Sequence, residues 1–167
     1  MNVITAPDNK SSFEGVSVFL AGGIQKCPEW QDEVISIMQN DEGTLFNPRR
    51  KNFPIHDPNA AIEQITWEHV ALGIADIFSI WFCNADSDQP ICMYELGRYL
   101  ALKSPQAVVI GVEPGYRREA DVRIQSSLAW GKKSLCAPSI ITSSLSDHVE
   151  NIRLAMKKFT YNKPGTR

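Results

Sequence analysis

The chain has 167 residues, 43% of them hydrophobic and 22% charged, with a formal net charge of -2 and an isoelectric point near 5.9. That length suits a single domain over residues 1–167 with a core of its own. The slightly acidic balance supplies no clustered basic surface of the kind that nucleic acid or an anionic membrane requires, so small molecules or proteins are the expected partners.

Residues 1–14 read as a loose leader. The stretch Met1 to Gly15 is polar and acidic and lacks the basic and apolar halves of a signal peptide, and no apolar run approaches membrane-spanning length. A cytoplasmic protein is expected. Val16 to Leu20 forms the first buried strand, and Ala21-Gly22-Gly23-Ile24 ends it with small residues that let a ligand or a neighbouring backbone come close. The G-x-G-x-x-G spacing of a dinucleotide fingerprint is absent, which argues against a flavin or dinucleotide binder. Pro28-Glu29-Trp30 opens a helix whose stripe of Val34, Ile35 and Met38 runs up to Asn40.

Asp41-Glu42-Gly43 turns into the short strand Thr44-Leu45-Phe46, which Pro48 stops, leaving Arg49 and Arg50 at its carboxyl end. Two adjacent guanidinium groups suit a phosphate or carboxylate, or stay solvated. Asn59 is placed to cap a helix from Ala60 to about Ile74, with Ile62, Ile65, Trp67, Val70, Leu72 and Ile74 on a wide apolar face and Glu68 beside Trp67.

Ile77 to Phe82 is an almost unbroken apolar run of strand length, the pattern of a central strand buried on both faces of a parallel sheet. Turn-forming residues from Asn84 to Pro90 follow, then a helix over 91–102 with Leu96, Tyr99, Leu100 and Lys103 at helical spacing. Glu95 therefore stands in the first turns of a helix that begins at the carboxyl end of a central strand, where open α/β sheets place their ligands. The helix dipole and free amides there favour an ionised carboxylate, which can act as nucleophile, base or anchor, or can simply pair with Arg98 or Tyr99 in water.

Ala107 to Val112 is another buried strand, Arg117 to Trp130 a helix with Val122, Ile124 and Leu128 facing inward, and Lys133 to Thr142 a weaker strand broken by Pro138. A last helix starts at Ser146 or Asp147 with Val149, Ile152, Leu154 and Met156, and residues 160–167 form a polar tail. Strands and helices alternate throughout, which calls for a parallel sheet covered by helices on both faces. Cys27, Cys83, Cys92 and Cys136 are scattered, with neither a C-x-x-C pair nor a histidine at ligand spacing, so no disulfide framework, metal or cofactor is signalled.

Four blocks stand in order: Phe19 to Ile24 ahead of Trp30, Phe46 to Arg50, Trp67-Glu68 eight residues ahead of Ala75-Asp76, and Pro90 to Arg98 containing Tyr94-Glu95-Leu96-Gly97-Arg98. Together they resemble the nucleoside 2-deoxyribosyltransferase superfamily, in particular its nucleoside 2-deoxyribosyltransferase-like branch, from about Val16 to Gln125. The resemblance implies a flavodoxin-like, Rossmann-like three-layer fold with a five-stranded parallel sheet. It implies cleavage of the N-glycosidic bond of a 2'-deoxynucleoside, with Glu95 as nucleophile through a covalent glycosyl intermediate and Glu68 as the second acid that handles the base. Asp76 and Asp88 are further candidates for that second acid.

Two departures bear on the activity. The family's sugar-binding aspartate, six residues before the nucleophile, is Gln89 here, with Asp86 and Asp88 nearby, and the first strand lacks the tyrosine that orients the nucleophile, a place Tyr94 or Tyr99 could take. Hydrolysis therefore stands beside base exchange, and a nucleotide-binding or sensing module without turnover is the alternative. For a nucleotide substrate, Arg49 and Arg50 or the Gly22-Gly23 amides are the expected phosphate ligands. The resemblance also implies a homo-oligomer.

Overall fold

The computed structural model describes residues 1–9, 13–131 and 141–162. Its elements in chain order are β1 (Asn2–Thr5), β2 (Ser17–Gly22), α1 (Trp30–Ile37), β3 (Thr44–Asn47), α2 (Ala60–Ile74), β4 (Ile77–Phe82), α3 (Pro90–Leu102), a 3-10 turn (Pro105–Ala107), β5 (Val108–Val112), α4 (Glu119–Gly131) and α5 (Leu145–Asn162). The five strands pair in parallel in the order β1-β3-β2-β4-β5, giving a flavodoxin-like α/β sheet.

Period-two alternation sorts the strand side chains into two cores. Phe78, Ile80 and Phe82 of β4 join Phe19, Phe46 and Ile110 on one face, against Trp67 and Leu72 of α2, Leu96, Tyr99 and Leu100 of α3, and Val122 and Trp130 of α4. Ile77 and Trp81 join Val18, Leu20, Leu45 and Val109 on the other, against Trp30, Val34 and Met38 of α1 and Val149, Ile152 and Met156 of α5. Every residue of β4 is buried, which is why no polar alternation marks it in the sequence. No helix among the described residues is long and apolar enough to cross a membrane.

Several details depart from the sequence reading. The expected loose leader contains β1, in parallel register with β3 from Asn2 opposite Thr44 to Thr5 opposite Asn47, at the edge of the sheet. The weak strand expected over 133–142 lies almost wholly outside the described residues, and only Thr142 is seen to bridge to Gly111. Asn59 sits before α2 without a side-chain cap bond, and its backbone N–H donates to the Asp57 carboxylate at 2.9 Å. Ile124 and Leu128 of α4, expected inside, are exposed, as are Leu154 of α5 and Ile62, Ile65, Val70 and Ile74 of α2. The last helix reaches Asn162, so the expected tail is shorter than residues 160–167.

Candidate active site

In chain order β2 is followed by β3 on one side of it, whereas β4 lies on the other. That reversal opens a crevice at the carboxyl ends of β2 and β4, the usual ligand position in open α/β sheets. A cavity of about 310 Å³ occupies it. Its floor comes from Phe19, Ala21 and Gly22 of β2, its rim from Gly23 to Gln25 and from Pro48 after β3, and its remaining walls from Glu68 of α2, the loop residues Ser87 and Gln89, and Pro90 to Cys92 and Glu95 of α3.

Close backbone approach explains the glycine pair. Gly22 has φ +151°, and a Cβ there would sit 2.4 Å from the Trp81 carbonyl oxygen and 2.5 Å from the Trp30 ring. A Cβ on Gly23 would meet Cys27 Sγ at 2.3 Å and Gln89 Oε1 at 2.7 Å. Trp30 Nε1 donates to the Gly23 carbonyl at 3.0 Å, and Arg49 donates to the same carbonyl at 3.2 Å and to that of Pro28 at 2.6 Å. Arg49 also donates to Gln31 Oε1 at 2.8 Å. Its guanidinium thus braces the glycine rim from behind and is absent from the cavity lining. Arg50 is paired with Glu63 at 2.9 Å and lies over the Phe53 ring, also away from the lining.

The cavity brings Glu68 and Glu95 together from two helices. Glu95 stands a full turn inside α3, past the reach of the free amides at its start, and burial decides its protonation. Its carboxyl is pushed up to about 8 by burial and by the neighbouring Glu68, with the Arg98 guanidinium pulling the other way. This desolvation works against the ionisation expected from the helix dipole. Glu68 is raised by burial as well, against the Gln64 amide that donates to it. Burial and the Glu68 charge both disfavour the ionised form of Glu95, so the two acids of this partly desolvated cavity resist ionising together.

Gln89, six residues before Glu95, is buried in a left-handed conformation with φ +49°. Its Nε2 donates to the Cys83 carbonyl at 2.8 Å and its Oε1 accepts the Cys83 N–H at 3.3 Å, so the amide holds the start of α3 on the end of β4. It lines the cavity without bringing a charge.

The other expected residues stand elsewhere. Asp76 precedes β4 at the amino end of the sheet, where its carboxylate accepts from the Ser17 N–H and hydroxyl, both at 2.9 Å. Asp88 pairs with Arg117 at 3.4 Å, and its carbonyl accepts the Tyr116 hydroxyl at 2.7 Å. Tyr94 is 67% exposed on the outside of α3, and Tyr99 is buried in the core, stacked on Phe78 with centroids 4.7 Å apart. Neither tyrosine, nor Asp76, nor Asp88 lines the cavity.

Sequence reasoning passed over Ser87, Cys92 and Gln64. Cys92 lines the cavity, but burial raises its thiol strongly, which keeps it a neutral wall at ordinary pH. Among the described residues no three His, Cys, Asp or Glu side chains are grouped to hold a metal ion. Gln64, one turn before Glu68, carries the only legible signal of the three, since glutamine four residues from an acid is a common helical pair.

The crevice, the glycine rim and the acid pair all fall within residues 15–116, the span matched by the family model described as nucleoside 2-deoxyribosyltransferase like. That match covers more than half of the chain, and the chain belongs to this nucleoside 2-deoxyribosyltransferase-like family. A search of the curated proteins gives no match.

Proposed function

We propose that the chain cleaves the N-glycosidic bond of 2'-deoxynucleosides or their 5'-monophosphates, with Glu95 as nucleophile and Glu68 as the acid that serves the base. The observation that carries this reading is two carboxyl groups, from α2 and α3, facing one cavity at the sheet's switch point. The ionised Glu95 carboxylate attacks C1', the glycosidic electron pair leaves with the base, and the base takes a proton from Glu68. A second base or water then gives a proton to Glu68 and displaces Glu95 from C1'. Two displacements retain the configuration, as in retaining glycosidases. The amides of Gly22 and Gly23 are the groups at hand for a 5'-phosphate, since Arg49 and Arg50 are engaged elsewhere.

The test is to incubate the protein with a panel of 2'-deoxynucleosides and monophosphates, with and without a second base, and to separate the products. Free base or exchanged nucleoside that disappears in Glu95→Gln supports the reading, and full turnover by Glu95→Gln removes it. One observation favours binding without turnover: the Gln89 amide is spent on Cys83 and offers the sugar no carboxylate. Calorimetric binding of a nucleotide, with no product after long incubation, would select that second reading.

The partner expected beside the substrate is another copy of the chain. The helices that bear the acids also expose Ile62, Ile65 and Val70 on α2 and Ile91 and Tyr94 on α3, an apolar surface that self-association would cover. Sedimentation at micromolar concentration tests it, and a monomer at every concentration rejects it.

A further inference from the structure

We propose that Gln64 is a positioning residue for Glu68: its side-chain amide bridges Glu68 to the Pro48 carbonyl and keeps Glu68 as the ionised member of the acid pair in the free protein, leaving the proton on Glu95. This rests on the reading of Glu68 and Glu95 as the working pair.

One nitrogen makes the clamp. Gln64 Nε2 donates to the Pro48 carbonyl at 2.7 Å and to Glu68 Oε1 at 2.8 Å. Both partners are acceptors, so only the NH2 end of the amide can face them; a flipped side chain would set its own oxygen against two others. The cost of this orientation is visible, because Gln64 Oε1 is left buried without a partner among the described residues. Pro48 and Glu68 both line the cavity, so the amide links the loop after β3 to the acid on α2.

A carboxylate oxygen that accepts this N–H is favoured as the anion. Of the charged groups described around the pair, Arg98 alone works against that preference, since it favours the Glu95 anion, and burial together with Glu68 outweighs it. Glu63, five residues earlier on α2, is paired with Arg50, and Arg49 is turned to the Gly23 and Pro28 carbonyls. The Gln64 hydrogen bond is the counterweight to burial at Glu68. Before attack the proton must therefore pass from the Glu95 carboxyl to Glu68, which turns Glu95 into the nucleophilic carboxylate and Glu68 into the acid that the departing base needs. No oxidant or co-reactant enters this step.

The test uses the full chain labelled with carboxyl 13C-glutamate, the two signals being assigned with Glu68→Gln and Glu95→Gln. Removing the donor in Gln64→Met is expected to raise the Glu68 midpoint by about one pH unit, the size of a lost charge-assisted hydrogen bond, and to draw the proton off Glu95. Supplying a cationic donor in Gln64→Lys is expected to lower the Glu68 midpoint. A role in packing alone would not move the midpoint in opposite directions in the two variants. Midpoints that stay put, or that move together, overturn the proposal, and if only one variant folds, the direction of its shift decides. The titration needs no turnover: a protein that releases no base yet shows the opposed shifts loses the proposed activity and keeps the clamp, whereas Glu95-dependent turnover with unmoved midpoints loses the clamp alone.

Discussion

Ser17 and Asp76 are joined by three hydrogen bonds at the amino end of the sheet. The Ser17 N–H and hydroxyl both donate to the Asp76 carboxylate at 2.9 Å, and the Ser17 oxygen accepts the Asp76 N–H at 3.0 Å. The pair locks the starts of β2 and β4, so Asp76 belongs to the frame of the site. Asp76→Ala is expected to cost about 1–3 kcal/mol of stability in a denaturant titration while ligand affinity stays within twofold. A large loss of affinity with unchanged stability would return Asp76 to the substrate.

Glu95 makes the fold weaker in alkali. Its folded value of about 8 lies above the ordinary 4.5, so between these values the native state binds the extra proton. The contribution is fully present below pH 4.5 and is lost as pH rises through 8. Glu95→Gln, which cannot ionise, is expected to be the more stable protein at pH 9 by on the order of 2 kcal/mol, after discounting for partial solvent screening. Thermal melts of both proteins at pH 6 and pH 9 check the sign.

His148 acts in the opposite sense. It is fully buried, with Nε2 2.9 Å from Ser79 Oγ and its ring against Trp81. Burial lowers it from 6.5 to about 3, so the unfolded chain binds the extra proton between those values. Stability is expected to fall by up to about 1.4 kcal/mol per unit as pH drops from 6.5 towards 3. His148→Leu should be weaker at pH 7, because it leaves the Ser79 hydroxyl alone, and should show a shallower acid limb in urea titrations.

Gly23→Ala should strike the cavity through its neighbours. The added methyl group falls 2.3 Å from Cys27 Sγ and 2.7 Å from Gln89 Oε1, and relieving the clash means moving the amide that ties α3 to Cys83. Turnover is expected to drop at least tenfold, with a stability loss of about 1–3 kcal/mol. A Cys27→Ala background, which removes the sulfur, should recover part of the stability.

Much of the frame was readable in the chain because it obeys simple periods. The unbroken apolar run at 77–82 became β4 over those same residues, and the helix expected over 91–102 begins one residue earlier, at Pro90. The glycine pair, Glu68, Gln89 and Glu95 converge on one cavity. Asp76 could have been set aside from the sequence, since a residue before a parallel strand stands at its amino end, about 20 Å from the carboxyl edge where ligands collect. The arginines were harder. Nothing in Pro48-Arg49-Arg50 announces that the guanidinium groups would be taken up by backbone carbonyls of the rim and by Glu63, because those partners are brought near only by folding. Strand β1 escaped for another reason: Asn2 to Thr5 is short, lies at an edge and is only partly buried, so it lacks the apolar density of the inner strands. The apolar residues of α2 encircle it, and periodicity cannot tell a face turned to the core from one left in solvent.

That edge strand reaches further than its position suggests. Just past it the Asp8 carbonyl accepts the Trp67 indole N–H at 2.8 Å, and Trp67 is the residue before Glu68. Proteolytic trimming of the first eight residues would therefore slacken the helix that presents an acid to the cavity, so amide exchange in the middle of α2 should quicken although no residue lining the cavity has been cut.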